Sequence, residues 1–158
     1  MLGAEIIAKI LKDPGVRIIF ILPGGTIAPL LNALIKEGIG YVCTRNEQGA
    51  GYGAIGAAKV TGFPQIVLVM SEPGVTNLLT PIAGAYYDSV PILVFAGQVG
   101  TKDINFKKKI RQTGFQETDT VSNFKPVTNK AHILKLNEDI SKTIINSFMF
   151  TREGRSGP

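Results

Sequence analysis

The sequence predicts an α/β domain of three layers built around a mostly parallel central sheet. Two observations carry this. Apolar runs of strand length at 16–22, 66–70 and 92–96 alternate with amphipathic or small-residue segments of helix length. Arg17 aside, those runs are continuously apolar rather than alternating, as expected of strands covered on both faces. A third observation concerns the turns: Pro23-Gly24-Gly25, Ser71-Glu72-Pro73-Gly74 and Gly97-Gln98 each follow a predicted strand, at the sheet edge where α/β proteins gather ligands.

Taken in order, residues 4–12 predict a helix with Ile6, Ile7, Ile10 and Leu11 on one face, ended by Asp13-Pro14-Gly15. An Ile-rich strand at 16–22 is interrupted only by Arg17. Pro23-Gly24-Gly25 turns into a helix over about 26–37, and Gly38-Ile39-Gly40 leads to a short strand at 41–43. A helix rich in Gly and Ala is predicted over about 48–60, stopping before Gly62. The strand at 66–70 is followed by a helix over about 75–86, and Pro91 introduces the strand at 92–96. The polar stretch 99–123 is long for an ordered connection, so a short helix or a ligand-facing loop is expected there. Residues 126–129 are expected to form a short edge piece, and 138–149 a docked helix through Ile140, Ile144, Ile145, Phe148 and Met149. The sequence then reaches Arg155-Ser156-Gly157-Pro158 with no further strand pattern.

Composition narrows the function classes. The 158 residues are 44% hydrophobic and 18% charged, which suits one domain with a sizeable core and argues against disorder. No apolar run approaches the roughly 20 residues needed to span a bilayer, and no secretory signal pattern opens the chain. The single cysteine, Cys43, allows no intrachain disulfide, so a reducing, cytoplasmic setting is the simpler expectation. The formal charge is +5, concentrated in Lys102, Lys107, Lys108, Lys109 and Arg111 against the single acid Asp103. Such a run is ordinarily a solvated face, and no helix-turn-helix, zinc-finger or aromatic RNA-binding pattern accompanies it. Neither nucleic acid nor a membrane is therefore expected as a partner.

Glu47 is the most informative residue. It sits between a predicted strand and a Gly/Ala-rich helix, where a lone carboxylate is either a solvated first-turn residue or a ligand contact. Gly25, Asn77 and Gln98 stand at the other strand ends, each with both a backbone-stitching and a ligand-facing reading. The chain has no GxGxxG after its first strand and no GxxxxGK[ST], so ordinary dinucleotide and P-loop chemistry is not indicated. His132 is the sole histidine, which leaves no catalytic triad and no histidine-based metal centre.

Six short motifs in order resemble the N-terminal, pyrimidine-binding domain of thiamine-diphosphate enzymes, especially the acetolactate synthase and acetohydroxyacid synthase group. They are Pro23-Gly24-Gly25, Arg45-Asn46-Glu47-Gln48-Gly49-Ala50, Pro73-Gly74-Val75-Thr76-Asn77, Asp88-Ser89-Val90-Pro91, Gly97-Gln98-Val99 and Phe115-Gln116-Glu117. The closing Gly154-Arg155-Ser156-Gly157-Pro158 resembles the segment that precedes the last strand of that domain. The resemblance implies that Glu47 hydrogen-bonds a ring nitrogen of the aminopyrimidine, favouring the imino tautomer that takes the thiazolium C2 proton. It further implies pyrimidine-side contacts from Pro73 and Asn77, with Gly25, Gln98, Phe115 and Gln116 lining or supporting the reaction cavity. The substrate implied is a 2-oxo acid such as pyruvate, condensed with a second oxo acid after losing carbon dioxide.

The resemblance has departures. Asn46 stands where the family often has histidine, Glu72 replaces the glycine of a Ser-Gly-Pro-Gly turn, and Thr128-Asn129-Lys130 replaces Thr-Lys-His. No Gly-Asp-Gly followed by Asn-Asn is present, so the central domain and the domain that binds diphosphate through Mg2+ are expected to lie outside these residues. FAD is admitted for the full enzyme. An isolated copy is expected to be inactive, self-association through the Gly-rich ligand edge is expected, and the chain is expected to be an excised domain. Two alternatives stay open at this point: a subunit of a split 2-oxo acid decarboxylase, and a noncatalytic assembly domain.

Overall fold

A computed structural model of the protein describes residues 2–104 and 110–158; Lys107, Lys108 and Lys109 of the basic run lie outside the described residues. Four parallel strands form one sheet in the order β2-β1-β3-β4, with β1 at Ile18–Ile21, β2 at Gly40–Cys43, β3 at Gln65–Val69 and β4 at Ile92–Ala96. All pairings are parallel, so every strand delivers its C-terminal turn to the same sheet edge. The α-helices of the described residues are α1 (Gly3–Lys12), α2 (Ala28–Lys36), α3 (Glu47–Thr61), α4 (Gly74–Asn77), α5 (Leu79–Tyr87), α6 (Thr120–Phe124) and α7 (Ile140–Phe150).

The side-chain alternation of the central strand explains the two faces. On β3, Ile66 and Leu68 join Ile19 and Ile21 against Leu11 of α1, Leu34 of α2 and Ile144 of α7. Val67 and Val69 point the other way and pack with Ala50, Ala54 and Ala58 of α3 and Ile82 and Ala85 of α5. β3 is buried along its whole length, and beyond Gln65, whose amide donates to Phe63 O, it is a continuous apolar run that serves both layers. The small residues of α3 let the helix lie close: a Cβ on Gly51 would sit 2.5 Å from Pro81 Cγ.

Two segments differ from the sequence reading. The helix expected over 75–86 is two helices, broken at Leu78. Pro81 has no amide hydrogen for the Asn77 carbonyl four residues earlier, so the α-helical ladder is interrupted there. The edge piece expected at 126–129 is instead a 3₁₀ turn at Lys125–Val127, continuing from α6. Pro126 fixes a helix-compatible φ and cannot donate to a ladder. Asp119 caps α6 through Ser122 N and Asp139 caps α7 through Lys142 N. The closing residues are tied down: Asn129 N donates to Pro158 O at 2.7 Å, and both Gly157 and Pro158 are buried. No helix among the described residues is long and apolar enough to cross a membrane.

Candidate functional site

The strand-end turns converge on the C-terminal edge of the sheet. After β1 comes Gly24, whose Cα approaches Met70 so closely that a Cβ would lie 2.2 Å from the Met70 sulfur. Thr26 then meets two other turns at once. Ser71 N donates to its hydroxyl at 3.4 Å, and a Cβ on Gly97 would come within 2.3 Å of the same oxygen. Glycine is required at 97 for that approach.

Glu47 is the first residue of α3 and only 7% exposed. Its helix begins there because Asn46 is extended and its Oδ1 accepts from Gly49 N at 2.7 Å, a strong N-cap. Asn46, a departure from the family pattern, thus has a definite local task. Thr44 braces the same turn, donating its hydroxyl to Asn46 O at 2.7 Å. A carboxylate in the first turn also sits favourably against the helix dipole.

The two oxygens of Glu47 differ. Oε2 accepts from Asn77 Nδ2 at 2.7 Å, while Asn77 Oδ1 accepts from Gln48 Nε2 at 3.1 Å. Oε1 accepts no hydrogen bond among the described residues and faces Gly74, where a Cβ would stand 2.9 Å from it. The site therefore pairs one satisfied carboxylate oxygen with one oxygen beside a position lacking a side chain. A free acceptor oxygen on an otherwise buried side chain suits a ligand that brings its own donor.

The other sequence-predicted residues divide into groups. Pro73 is exposed at the N-cap of α4, next to Gly74. Gly25 is exposed, with nothing within 4 Å of where a Cβ would be. The Gln98 amide is spent on backbone: Nε2 donates to Thr118 O at 2.8 Å and Oε1 accepts from Val99 N at 2.9 Å. Gln116 adopts φ of 66° and its carbonyl accepts from Glu72 N at 3.3 Å, tying its loop to the Ser71-Pro73 turn. Phe115 on that loop is 86% exposed. Glu47, Asn77, Pro73 and the Gln116 backbone are thus linked, while Gly25 and the side chains of Gln98 and Phe115 make no hydrogen bond to Glu47.

Sequence reasoning assigned no role to Gln48, Gly74 or Glu117. Glu117 is 7% exposed and its Oε2 accepts from Thr113 N at 2.5 Å and Gly114 N at 3.1 Å, which shapes the loop bearing Phe115 and Gln116. An acid three residues after glycine in a polar loop was the signal that could have marked it. Among the described residues no three His, Cys, Asp or Glu side chains gather as a metal site. A cavity of about 300 Å3 runs along the open edge of β4, lined by Leu93, Phe95, Phe124, Ile144 and Pro158 among others. Glu47, Gly74 and Asn77 do not line it.

The family described as the thiamine pyrophosphate enzyme, N-terminal TPP binding domain, matches residues 1–123. The chain belongs to that family. Relatives of this TPP binding domain are found in longer proteins. It is 42% identical to the acetolactate synthase large subunit of Lactococcus lactis over 99% of this chain and 26% of that protein. The corresponding figures for the isozyme 3 large subunit of Escherichia coli are 40%, 99% and 26%. For the probable acetolactate synthase large subunit of Methanocaldococcus jannaschii they are 40%, 100% and 26%. The TPP binding domain thus spans about a quarter of the length of the curated relatives it matches.

Proposed function

We propose that this chain is the cofactor-activating half-site of an acetolactate-synthase-like enzyme, one that decarboxylates a 2-oxo acid such as pyruvate and condenses the remainder with a second oxo acid. The single observation that carries the reading is the Glu47 carboxylate, buried at the sheet's ligand edge with Oε2 bonded to Asn77 and Oε1 facing Gly74. Those residues fit a flat heterocycle with a protonatable ring nitrogen: the acceptor is aimed past a position without Cβ, and Pro73 offers an exposed apolar surface beside it. When bound, thiamine diphosphate supplies the acidic carbon and the electron sink on which the oxo acid loses carbon dioxide.

The chain's own residues do the following in this reading. Oε1 of Glu47 accepts a hydrogen bond from the protonated pyrimidine ring nitrogen, and Asn77 fixes the carboxylate plane through Oε2. Pro73 and Gly25 form part of the cofactor-facing surface, and Gln98 shapes it by holding the Thr118 backbone. Phe115 and Gln116 stand on the substrate side, on a loop braced by Glu117. Diphosphate and Mg2+, and FAD where the full enzyme uses it, would be held by further domains of the longer protein. Those domains would come from the same polypeptide or a second subunit, most simply in a homo-oligomer. The relatives' fourfold greater length supports this arrangement, as does the open edge of β4 with its apolar groove, which would receive a following strand. The isolated chain is accordingly inactive.

The test is Glu47→Gln in the complete assembly, reading C2 proton exchange in the bound cofactor. General acid–base groups contribute about 100-fold or more, so exchange should fall by at least that factor. Exchange at the parent rate would remove Glu47 from the activating role.

A further inference from the structure

Gln48 carries no role in the reading above, yet its amide is the outer member of a chain of hydrogen bonds that ends on the carboxylate. Gln48 Nε2 donates to Asn77 Oδ1 at 3.1 Å, and Asn77 Nδ2 donates to Glu47 Oε2 at 2.7 Å. The three side chains come from two elements: Glu47 and Gln48 open α3, and Asn77 closes α4. The Asn77 backbone is fixed, its N–H donating to Pro73 O at 3.1 Å, while its amide can still turn about χ2.

An asparagine amide has two orientations that exchange oxygen for nitrogen. Against a carboxylate alone the donor-in orientation is preferred, but a solvent molecule or ligand competing for Nδ2 can turn it. With a donor on the far side as well, the reverse orientation sets oxygen against oxygen at Glu47 and nitrogen against nitrogen at Gln48. Both contacts are lost unless the Gln48 amide turns as well, so Asn77 cannot turn alone without cost. We propose that Gln48 is a positioning residue, locking the Asn77 amide so that Oε2 of Glu47 is permanently occupied and Oε1 alone is presented to the ligand. The proposal rests on the half-site reading for its consequence in catalysis, though the amide lock itself does not.

The decisive substitution is Gln48→Glu, which keeps shape and length while replacing the donor by an acceptor. It is made in the full-length enzyme beside Gln48→Met, which removes the hydrogen bond without reversing it. Two quantities are read: the side-chain amide signals of Asn77 by NMR in the cofactor-free protein, and C2 proton exchange in the loaded protein. In the parent those amide protons should carry the shift of a carboxylate-bonded donor. Gln48→Glu should abolish that shift and slow exchange about tenfold, the scale of one lost hydrogen bond to a charged group, with Gln48→Met about threefold. A role in folding alone would instead lower the thermal midpoint in both variants equally and leave the amide shift in place, which would overturn the proposal. So would an unchanged amide signal in Gln48→Glu. The two readings fail separately. If Glu47→Gln leaves exchange intact, the half-site reading fails and the amide signal still decides whether the lock exists. If Glu47→Gln abolishes exchange but Gln48→Glu does not alter it, the lock has no part in presenting Oε1 and the proposal falls alone.

Discussion

Gly74→Ala isolates the geometry around Glu47 from everything else in the fold. Gly74 has helical backbone at the start of α4, so alanine meets no dihedral penalty there and gains helix propensity of up to about 1 kcal/mol. Its new methyl would stand 2.9 Å from Glu47 Oε1 and 3.2 Å from Met70 Cγ. Ordinary contact begins at 3.4 Å, so the carboxylate oxygen must retreat by about 0.5 Å unless the backbones part. Met70 is partly exposed and flexible at its thioether end, and it gives way first. Glu47 has less room, because Oε2 is held by Asn77 at 2.7 Å. A retreat of that size stretches this bond toward the outer limit of good geometry.

The cost to function follows from the displacement. Misplacing a catalytic group by 1 Å costs on the order of 100-fold, so half that distance should cost about tenfold, or about 1.4 kcal/mol of activation. The assay is deuterium exchange at C2 in the loaded full-length protein, with the thermal midpoint measured alongside. Slower exchange by about tenfold with an unchanged midpoint is the expected result. If exchange in Gly74→Ala stays within twofold of the parent while Glu47→Gln abolishes it, the ligand does not approach through Oε1, and the assignment of the two oxygens is wrong.

Two other outcomes follow from the coordinates. Gly51→Ala drives a methyl to 2.5 and 2.7 Å from Pro81 and 3.0 Å from Leu78, all in the layer between α3 and α5; overpacking of this kind costs about 1–3 kcal/mol. In a denaturant melt the midpoint should fall with no change in slope, and an unchanged midpoint would mean that α3 is free to lift. Glu138 is held down to about 2 by its hydrogen bond to His132 above all, then by Thr143 and the Lys135 amide. A carboxylate depressed in the folded state stabilises fully above its ordinary value near 4.5, and this contribution is lost as pH falls through about 2. Carboxyl NMR should find the Glu138 midpoint near 2 and His132→Ala should raise it; a midpoint indifferent to His132→Ala would place the cause elsewhere.

Most of the fold was legible because its determinants are local. Apolar runs specify the strands, of which β3 alone is buried throughout, and Gly62, with φ of 65°, ends α3 where the sequence placed its stop. The two departures have the same origin. Pro81 and Pro126 each remove a backbone donor, and the sequence pattern around them weighed apolar spacing above that loss. The site was legible in part. Glu47 announces itself by standing between a strand and a small-residue helix, but nothing local says that Asn77, thirty positions away, will bond it. The partners of Gln98 and Gln48 were not readable for the same reason: Thr118 and Asn77 lie 20 and 29 positions away and only the fold brings them together.

That long-range contact depends on register. In the sheet Ile21 pairs with Cys43 on one side and with Leu68 on the other, and Leu68 pairs with Phe95. These four residues form a row across all four strands, so each turn leaves the sheet at nearly one height. Glu47 follows Cys43 after a three-residue turn that Thr44 and Asn46 hold rigid, and α4 begins five residues beyond Val69. Slipping β2 or β3 by a single residue would move its turn by about 3.3 Å and send alternate side chains to the wrong layer. Ile66 and Leu68 would then face the small residues of α3, and Val67 and Val69 the α1–α2–α7 layer. The core therefore enforces the register, and the register sets a 2.7 Å bond between side chains on different helices. Placement of the carboxylate is a property of strand packing carried to the sheet edge, which is why a rigid α/β scaffold with polar turns can hold it before any ligand arrives.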